Sequence, residues 1–329
     1  MKIKASYSTL CSTELLNQVV SQYKITNPIS CEFWYRGLND TYKVISESGS
    51  FALRVYRKNW RTISDIEFEM EALLFLHKNE AKVAYPIEKK EGGYVATVVA
   101  DEGDRQIIVT KFIEGAVLKY EEPQDAVAYG KAAAEIHICS NEFKSNHSRY
   151  KLDFHHLIEE PFTYVKPFLV NRPNDLEFLN GLVERLSHKL NLANDASLDY
   201  GFCHGDFHGY NAHDENGQIV HFDFDCCGYG LRAYDLATFK WNSRHQKKEN
   251  ELWPKFLEGY VSKRDVSQLD LSNIELLVAV RDLWHLGLHT GNTKDLAKGW
   301  INEAYLDRRM SFLKDVSERI DAQASGDES

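Results

Sequence analysis

Three oxygen-bearing side chains fall within the stretch Tyr200 to Ala237: Asp206, Asn211 five residues later, and Asp223. Between the last two lies Asn216-Gly217, a two-residue hairpin signal, because both central positions of a type I′ turn need positive φ. Tyr210 to His213 and Gln218 to Phe224 flank that turn as short strands. Folding the chain about it brings Asn211 beside Phe222 and Asp223 at the open mouth of the hairpin, with Asp206 on the entering loop. An all-oxygen set of this kind suits a hard divalent cation such as Mg2+, which takes one or two carboxylates plus substrate phosphates. Charge agrees. From Leu190 to Leu231 the chain carries seven carboxylates (Asp195, Asp199, Asp206, Asp214, Glu215, Asp223, Asp225) and no Lys or Arg, so the balancing cation must come from outside.

His204-Gly205-Asp206, four residues, then Asn211, with Asp223 following in an apolar strand, resembles the HGDxxxxN motif and metal aspartate of the aminoglycoside phosphotransferase and choline kinase-like family. Asp235-Leu236-Ala237 matches the family's later pattern, in which the Asp braces the catalytic loop. The resemblance implies an α+β, two-lobed protein-kinase-like fold: a small antiparallel-sheet lobe over residues 1–112 and a larger, mainly helical lobe over 113–329. It implies ATP as co-substrate, Asp206 as the catalytic base, and Asn211 and Asp223 as Mg2+ ligands, with Asp225 binding a second ion or a metal water. His204, His208, Cys203, Cys226 and Cys227 are zinc-ligand types. Gly205 and Gly209 speak against the helix their spacing needs, and no second Cys pair has ligand spacing.

The other elements must supply the cation and cover the nucleotide. Strands are expected at Ser30 to Tyr35, Thr41 to Ser46 and Ser50 to Tyr56, after a helix from Thr13 to Tyr23 capped by Ser12 or Thr13. Arg36-Gly37-Leu38-Asn39-Asp40 joins the first two strands as a turn whose backbone amides can lie over phosphates, and the family often carries a Gly-x-Asn there, here Gly37 and Asn39. Arg54 stands in an apolar strand and needs a partner. Ile63 to His77 reads as a helix with Ile66, Glu69, Leu73 and Leu76 on one face, and kinase-like folds pair such a Glu with the strand cation, hence Glu69 with Arg54. Glu67 and Glu71 read as solvated. Ala84 to Ile87, Gly93 to Val99 and Gln106 to Phe112 complete the sheet, and the resemblance places the adenine-pairing hinge near Lys111, Phe112 and Ile113.

Beyond the hinge, helices are expected at Asp125 to Ser140, where the family makes His137 structural, through Phe154 to Leu192, at Asn250 to Tyr260 and at Asn273 to Thr290. The last carries Arg281, Asp282, Trp284, His285 and His289 in an apolar setting. With His208, the residues Asp282, Trp284 and His285 are the acceptor-side candidates. A polar tail is expected to fray after Asp321.

At 329 residues and 43% hydrophobic the chain can fill the cores of two lobes, and a net charge of −10 opposes nucleic-acid binding. Six cysteines without a CxxC pair, and no apolar run near the N-terminus, read as a cytoplasmic protein with no membrane span. The expected activity is Mg-assisted transfer of the ATP γ-phosphate to a hydroxyl of an amine-like, amino-acid-like or aminoglycoside-like small molecule. Two alternatives stand. Leu53 to Thr62, Val83 to Pro86 and Asp223-Phe224-Asp225 look like the bacterial stress-response kinase branch, which implies a protein substrate, and a nucleotide-binding pseudoenzyme would keep the fold without turnover.

Overall fold

The computed structural model describes residues 3, 5–118, 120, 122–192 and 198–327; Asp195 lies outside them. The chain forms two compact units, and the division is not the single cut expected at 112/113. Met1–Lys119 is joined by Ile138–Arg149 and Gly209–Asp225 in the first unit, and the second holds Tyr120–His137, Tyr150–His208 and Cys226–Ser329.

The first unit is built on an antiparallel sheet of β1 (Pro28–Arg36), β2 (Asp40–Ser46), β3 (Gly49–Val55), β4 (Ala96–Ala100) and β5 (Gly103–Lys111), in the order β1-β2-β3-β5-β4. Alternation decides its faces. Tyr42, Val44, Leu53, Val55, Ile107 and Val109 share one core with Leu15, Val19, Val20 and Tyr23, so Arg54, between Leu53 and Val55, points to the other side. There it meets helix α1 (Ile63–Lys78), which opens on a capping box between Thr62 and Asp65 and buries Ile66, Glu69, Leu73 and Leu76. The hairpin follows its turn signal: Ala212–Glu215 pairs with Gln218–His221 in the register Glu215 to Gln218. Asn216 and Gly217 have φ of +58° and +80°.

Three local expectations are corrected. Ala84 to Ile87 makes a single isolated bridge, Pro86 to Thr110, because proline has no N–H for a continuous ladder. The N-terminal helix is an α-turn at Ser12–Glu14, a π-turn at Leu15–Val19 and a 3-10 turn at Val20–Gln22, entered from Cys11 without a side-chain cap. The widened turn carries Leu15, Val19 and Val20 together into the sheet core. Glu71 is not simply solvated; it accepts hydrogen bonds from Ser145 Oγ and the Asn146 amide at 2.5 and 3.0 Å.

The second unit is mostly helical: α2 (Pro123–Cys139), Pro173–Leu192, α3 (Ala233–His245), α4 (Glu249–Val261), α5 (Ile274–Gly291) and α6 (Glu303–Asp327). The expected helix through Phe154 to Leu192 is interrupted, with a π-turn at His155–Glu159 and a short helix at Glu160–Val165 before Pro173. Helix α6 continues past Asp321, where fraying was expected. A small sheet, Lys151–Leu152, Gly228–Leu231 and Tyr200–Cys203, leads into the His204-Gly205-Asp206 loop. Among the described residues no helix is long and apolar enough to cross a membrane.

Helices α2 and α4 approach closely at two glycines. A Cβ on Gly130 would stand 2.0 Å from the Phe256 carbonyl oxygen, and one on Gly259 would stand 2.1 Å from that of Val127. Backbone cannot yield as a side chain can, so Gly130→Ala should destabilise the protein by roughly 1–3 kcal/mol through overpacking. Urea unfolding followed by circular dichroism measures this, and an unchanged midpoint would contradict the packing described.

Candidate functional site

In the first unit, Arg54 is the centre of a charge cluster. Its guanidinium donates to Glu69 Oε1 at 2.8 Å and to Asp223 Oδ1 at 2.9 Å, and Tyr56 donates its hydroxyl to the other Glu69 oxygen at 2.7 Å. Burial works against the Arg54 charge, but Asp223 and Glu69 outweigh it and hold the guanidinium well above its ordinary range. The structure thus makes the expected Arg54–Glu69 pair and joins Asp223 to it. Asn211 stands beside them: its carbonyl accepts from the Phe222 amide at 3.0 Å, so Asn211 and Asp223 flank the mouth of one hairpin. Asp223 has φ +62° and keeps 46% of its side chain exposed.

Asp225 has a different environment. Oδ1 accepts from Arg61 Nε at 2.9 Å, Oδ2 accepts from Asn39 Nδ2 and Trp60 Nε1 at 2.9 and 2.7 Å, and Arg61 and Arg149 both reach its carbonyl. Burial alone would raise this carboxyl, yet Arg61 and Arg54 bring it below the ordinary range. A buried carboxylate surrounded by cationic and amide donors anchors chain segments, so the surroundings do not favour the expected metal role for Asp225. Asn39 is likewise committed, since its Oδ1 accepts from the Arg57 amide at 3.0 Å. The Gly37 amide closes on the Asn39 carbonyl at 3.0 Å, and Arg57 Nε donates to Leu38 O at 2.7 Å. The loop is therefore pinned from within: the Gly37 amide is committed, and the Asn39 side chain is engaged through both its oxygen and its nitrogen.

Part of the expected hinge is engaged within the sheet and its neighbours. The Lys111 and Phe112 amides donate to Tyr85 O and Ser50 O at 2.9 and 3.1 Å, and Ile113 O is paired with His213 Nδ1 at 3.1 Å. A backbone N–H makes one strong bond, so the Lys111 and Phe112 amides are committed within the fold, which leaves the hinge role to the Ile113 amide.

In the second unit, Asp235 braces the loop that carries Asp206. It accepts from the His204 and Gly205 amides at 2.7 and 2.8 Å, and His137 Nε2 lies 3.1 Å from it with Nδ1 at 2.8 Å from Tyr260 Oη. Asp206 itself bonds Arg281, and His208 Nε2 lies at 3.3 Å. Burial works to raise the Asp206 carboxyl, but His208 and Arg281 hold it well below the usual carboxylate range, so it stays ionised.

Of the acceptor-side candidates, His208 touches Asp206 directly. Asp282 does not offer itself to a ligand: it is fully buried, and its Oδ1 accepts from Trp241 Nε1 and Arg309 at 2.8 Å each, with His245 at 3.1 Å. Trp284 lies against the Arg281 guanidinium, 4.7 Å from ring centroid to Cζ, and half-buried His285 packs on Trp241 and His289. Sequence reasoning did not connect Arg281 to Asp206, nor Arg57, Trp60, Arg61 and Arg149 to the Asn39 and Asp225 corner. The one available signal was an Arg inside the apolar run of α5.

A sequence family described as the phosphotransferase enzyme family matches residues 36–267. An uncharacterised protein of Deinococcus radiodurans is 33% identical over 320 residues, covering 96% of this chain and 92% of that protein. Another, from Synechocystis sp., is 30% identical over 312 residues, with 94% and 86% covered. Among solved structures, an amicoumacin kinase in complex with AMP-PNP and Ca2+ superposes with a TM-score of 0.77 at 21% identity, over 92% of this chain and 93% of that one. A microcompartment-associated aminopropanol kinase gives 0.76 at 20% identity, over 96% and 98%. At such identities the superpositions show a shared fold, the α+β kinase-like one.

The acid response of the second unit follows from its histidines. Burial first, then Arg309 and Arg281, push His289 down to about 4 from an ordinary 6.5. Burial also lowers His137 and His285. An unfolded chain takes up protons on these rings near pH 6.5, the folded chain only at lower pH, so between the two the unfolded state binds more protons and stability falls as pH falls. Urea midpoints should therefore drop steadily from pH 7 to 5, and His289→Leu should flatten that slope; an unchanged slope in the variant would contradict the neutral imidazole.

Proposed function

The chain belongs to the phosphotransferase enzyme family, and from that premise we propose that it moves the γ-phosphoryl group of ATP to a hydroxyl of a small molecule. The observation that carries this reading is the pairing of a solvent-reaching Asp223 with Arg54 at the mouth of the hairpin that also presents Asn211. Asp223 and Asn211 are oxygen donors without thiolate or imidazole among them, which fits Mg2+ and would leave its remaining positions to phosphate oxygens. When bound, such an ion neutralises charge on the phosphates. Arg54, held by Glu69 and Tyr56, brings a fixed positive charge beside Asp223, suited to phosphate oxygens.

Asp206, kept ionised, accepts a hydrogen bond from the acceptor hydroxyl and orients its lone pair for in-line attack. It takes the proton late, when bond formation has made the oxygen acidic. Asp225 and Asn39 act by fixing the segments on either side of the site rather than by binding metal. Catalysis on this account is mostly orientation and electrostatics. The acceptor is read as an amine- or amino-acid-like compound or an antibiotic, supported by the fold shared with kinases named for amicoumacin and aminopropanol.

Two variants test the assignment. Asp206→Asn should keep the rise in melting temperature given by Mg-AMP-PNP while transfer falls by about 10²–10⁴-fold. Asp223→Ala should lose the nucleotide-dependent rise itself. Normal turnover in the first, or an intact Mg-AMP-PNP response in the second, would withdraw the roles given to these carboxylates.

A further inference from the structure

Helix α5 is apolar along most of its length, yet it buries an arginine in its middle: Arg281 is 2% exposed. That guanidinium interacts with Tyr234 and has three further kinds of contact. It donates to the Asp206 carboxylate, it donates through Nη1 to Gly205 O at 3.1 Å, and it lies over the rings of Trp241 and Trp284 at 5.0 and 4.7 Å. The aromatic faces and the carbonyl fix where the guanidinium can sit, since a cation over an indole face is held by the ring quadrupole and a planar fork allows few orientations. Trp241 is itself held by its Nε1 bond to Asp282, which Arg309 also pairs. A bond to the carbonyl of residue 205 and another to the side chain of residue 206 define both the height of the loop and the rotation of the carboxylate.

We propose that Arg281 is the positioning residue of the phosphoryl transfer, setting the orientation and ionisation of Asp206 from a clamp formed by Trp241, Trp284 and the Gly205 carbonyl. The inference rests on the reading of Asp206 as the residue that receives the acceptor hydroxyl. Its chemical consequence is specific. A carboxylate shared with a buried guanidinium is a weak base, so Asp206 orients the hydroxyl rather than deprotonating it before attack, and its charge persists in mildly acidic solution. His208 and His204 face Asp206 from its own loop, Tyr129 and Tyr234 interact with it from α2 and α3, and His285 from α5; all five are present in wild type and variants alike.

The experiment compares wild type, Arg281→Lys and Arg281→Met for transfer with Mg-ATP, using as acceptor a hydroxyl compound on which the wild type shows turnover or, before one is found, water-supported ADP release. Arg281→Met should lower kcat roughly a hundredfold, as loss of a preorganised electrostatic group does, with KM for ATP and the Mg-AMP-PNP melting shift unchanged. Its kcat should also fall on the acid side at a higher pH than that of the wild type, because Asp206 returns toward an ordinary carboxylate. Arg281→Lys, which keeps the charge but not the fork, should lie between the two in both kcat and acid limb, and added ethylguanidinium should restore part of the activity of a folded Arg281→Ala. An acid limb and kcat unchanged in Arg281→Met overturn the proposal. So does a loss of kcat with no shift in pH profile and no rescue, which is what a merely structural role gives. Should Arg281→Met not fold, the acid limb of Arg281→Lys decides alone: coincidence with wild type overturns it. If Mg-AMP-PNP produces no shift in wild type, the failure belongs to the phosphotransferase reading instead.

Discussion

A guanidinium placed inside a small sheet-and-helix unit must be surrounded by negative charge, and the first unit is arranged around meeting that demand for Arg54. One carboxylate comes from α1, another from the end of the hairpin, and Tyr56 on the same chain segment fixes the orientation of the first. Removing one member of such a set leaves a charge without compensation, which costs about 3–5 kcal/mol where the group is buried. The constraint runs in both directions. The sheet's alternation fixes where Arg54 points, and Arg54 in turn fixes which face of α1 turns inward and where Asp223 stops. Asp223 in a left-handed backbone conformation is tolerable because the ion pair and the hairpin hold it there.

The second unit meets an analogous demand with the charges exchanged. Here the fixed group is an anion, Asp235, which collects two loop amides and an imidazole. Gly205 makes the loop possible: its φ is +80°, and a Cβ there would fall 2.1 Å from the Cys226 carbonyl oxygen. The loop then delivers Asp206 to Arg281. Asp235 holds the backbone and Arg281 holds the side chain, so the Asp206 carboxylate is fixed from two directions. On the proposed reading of Asp206, such support keeps the carboxylate within the narrow geometry that transfer needs.

The corner around Asp225 shows how the fold gives a carboxylate partners that its residue type does not specify. A carboxylate two residues after Asp223 in an acidic stretch looks like a second metal ligand, and an Asn in a turn looks like a phosphate contact. In the fold the two bond each other, and Trp60, Arg61 and Arg57 complete the corner. The positive charge needed near the acidic stretch does come from outside it, as the charge count required. Part of it, from Arg61, is paired with Asp225.

What the sequence determined by itself is whatever short-range physics controls. Asn216-Gly217 specifies a type I′ turn, because few other pairs accept positive φ twice, and that turn alone puts Asn211 next to Phe222 and Asp223. Glu69 and Arg54 could be paired because two simple periodicities, 3.6 for the helix and 2 for the strand, each left one charge facing inward. Tertiary structure alone decided the contacts made across long stretches of chain. Arg61 reaches Asp225 across 164 residues and Arg281 reaches Asp206 across 75. No local pattern encodes which buried arginine meets which carboxylate, since every such pair satisfies the same charge rule and only packing chooses among them. The same holds for the segments expected to be a hinge and a phosphate loop: composition marks a turn or a strand end, but which partners its amides take is settled by the neighbours the fold brings to them.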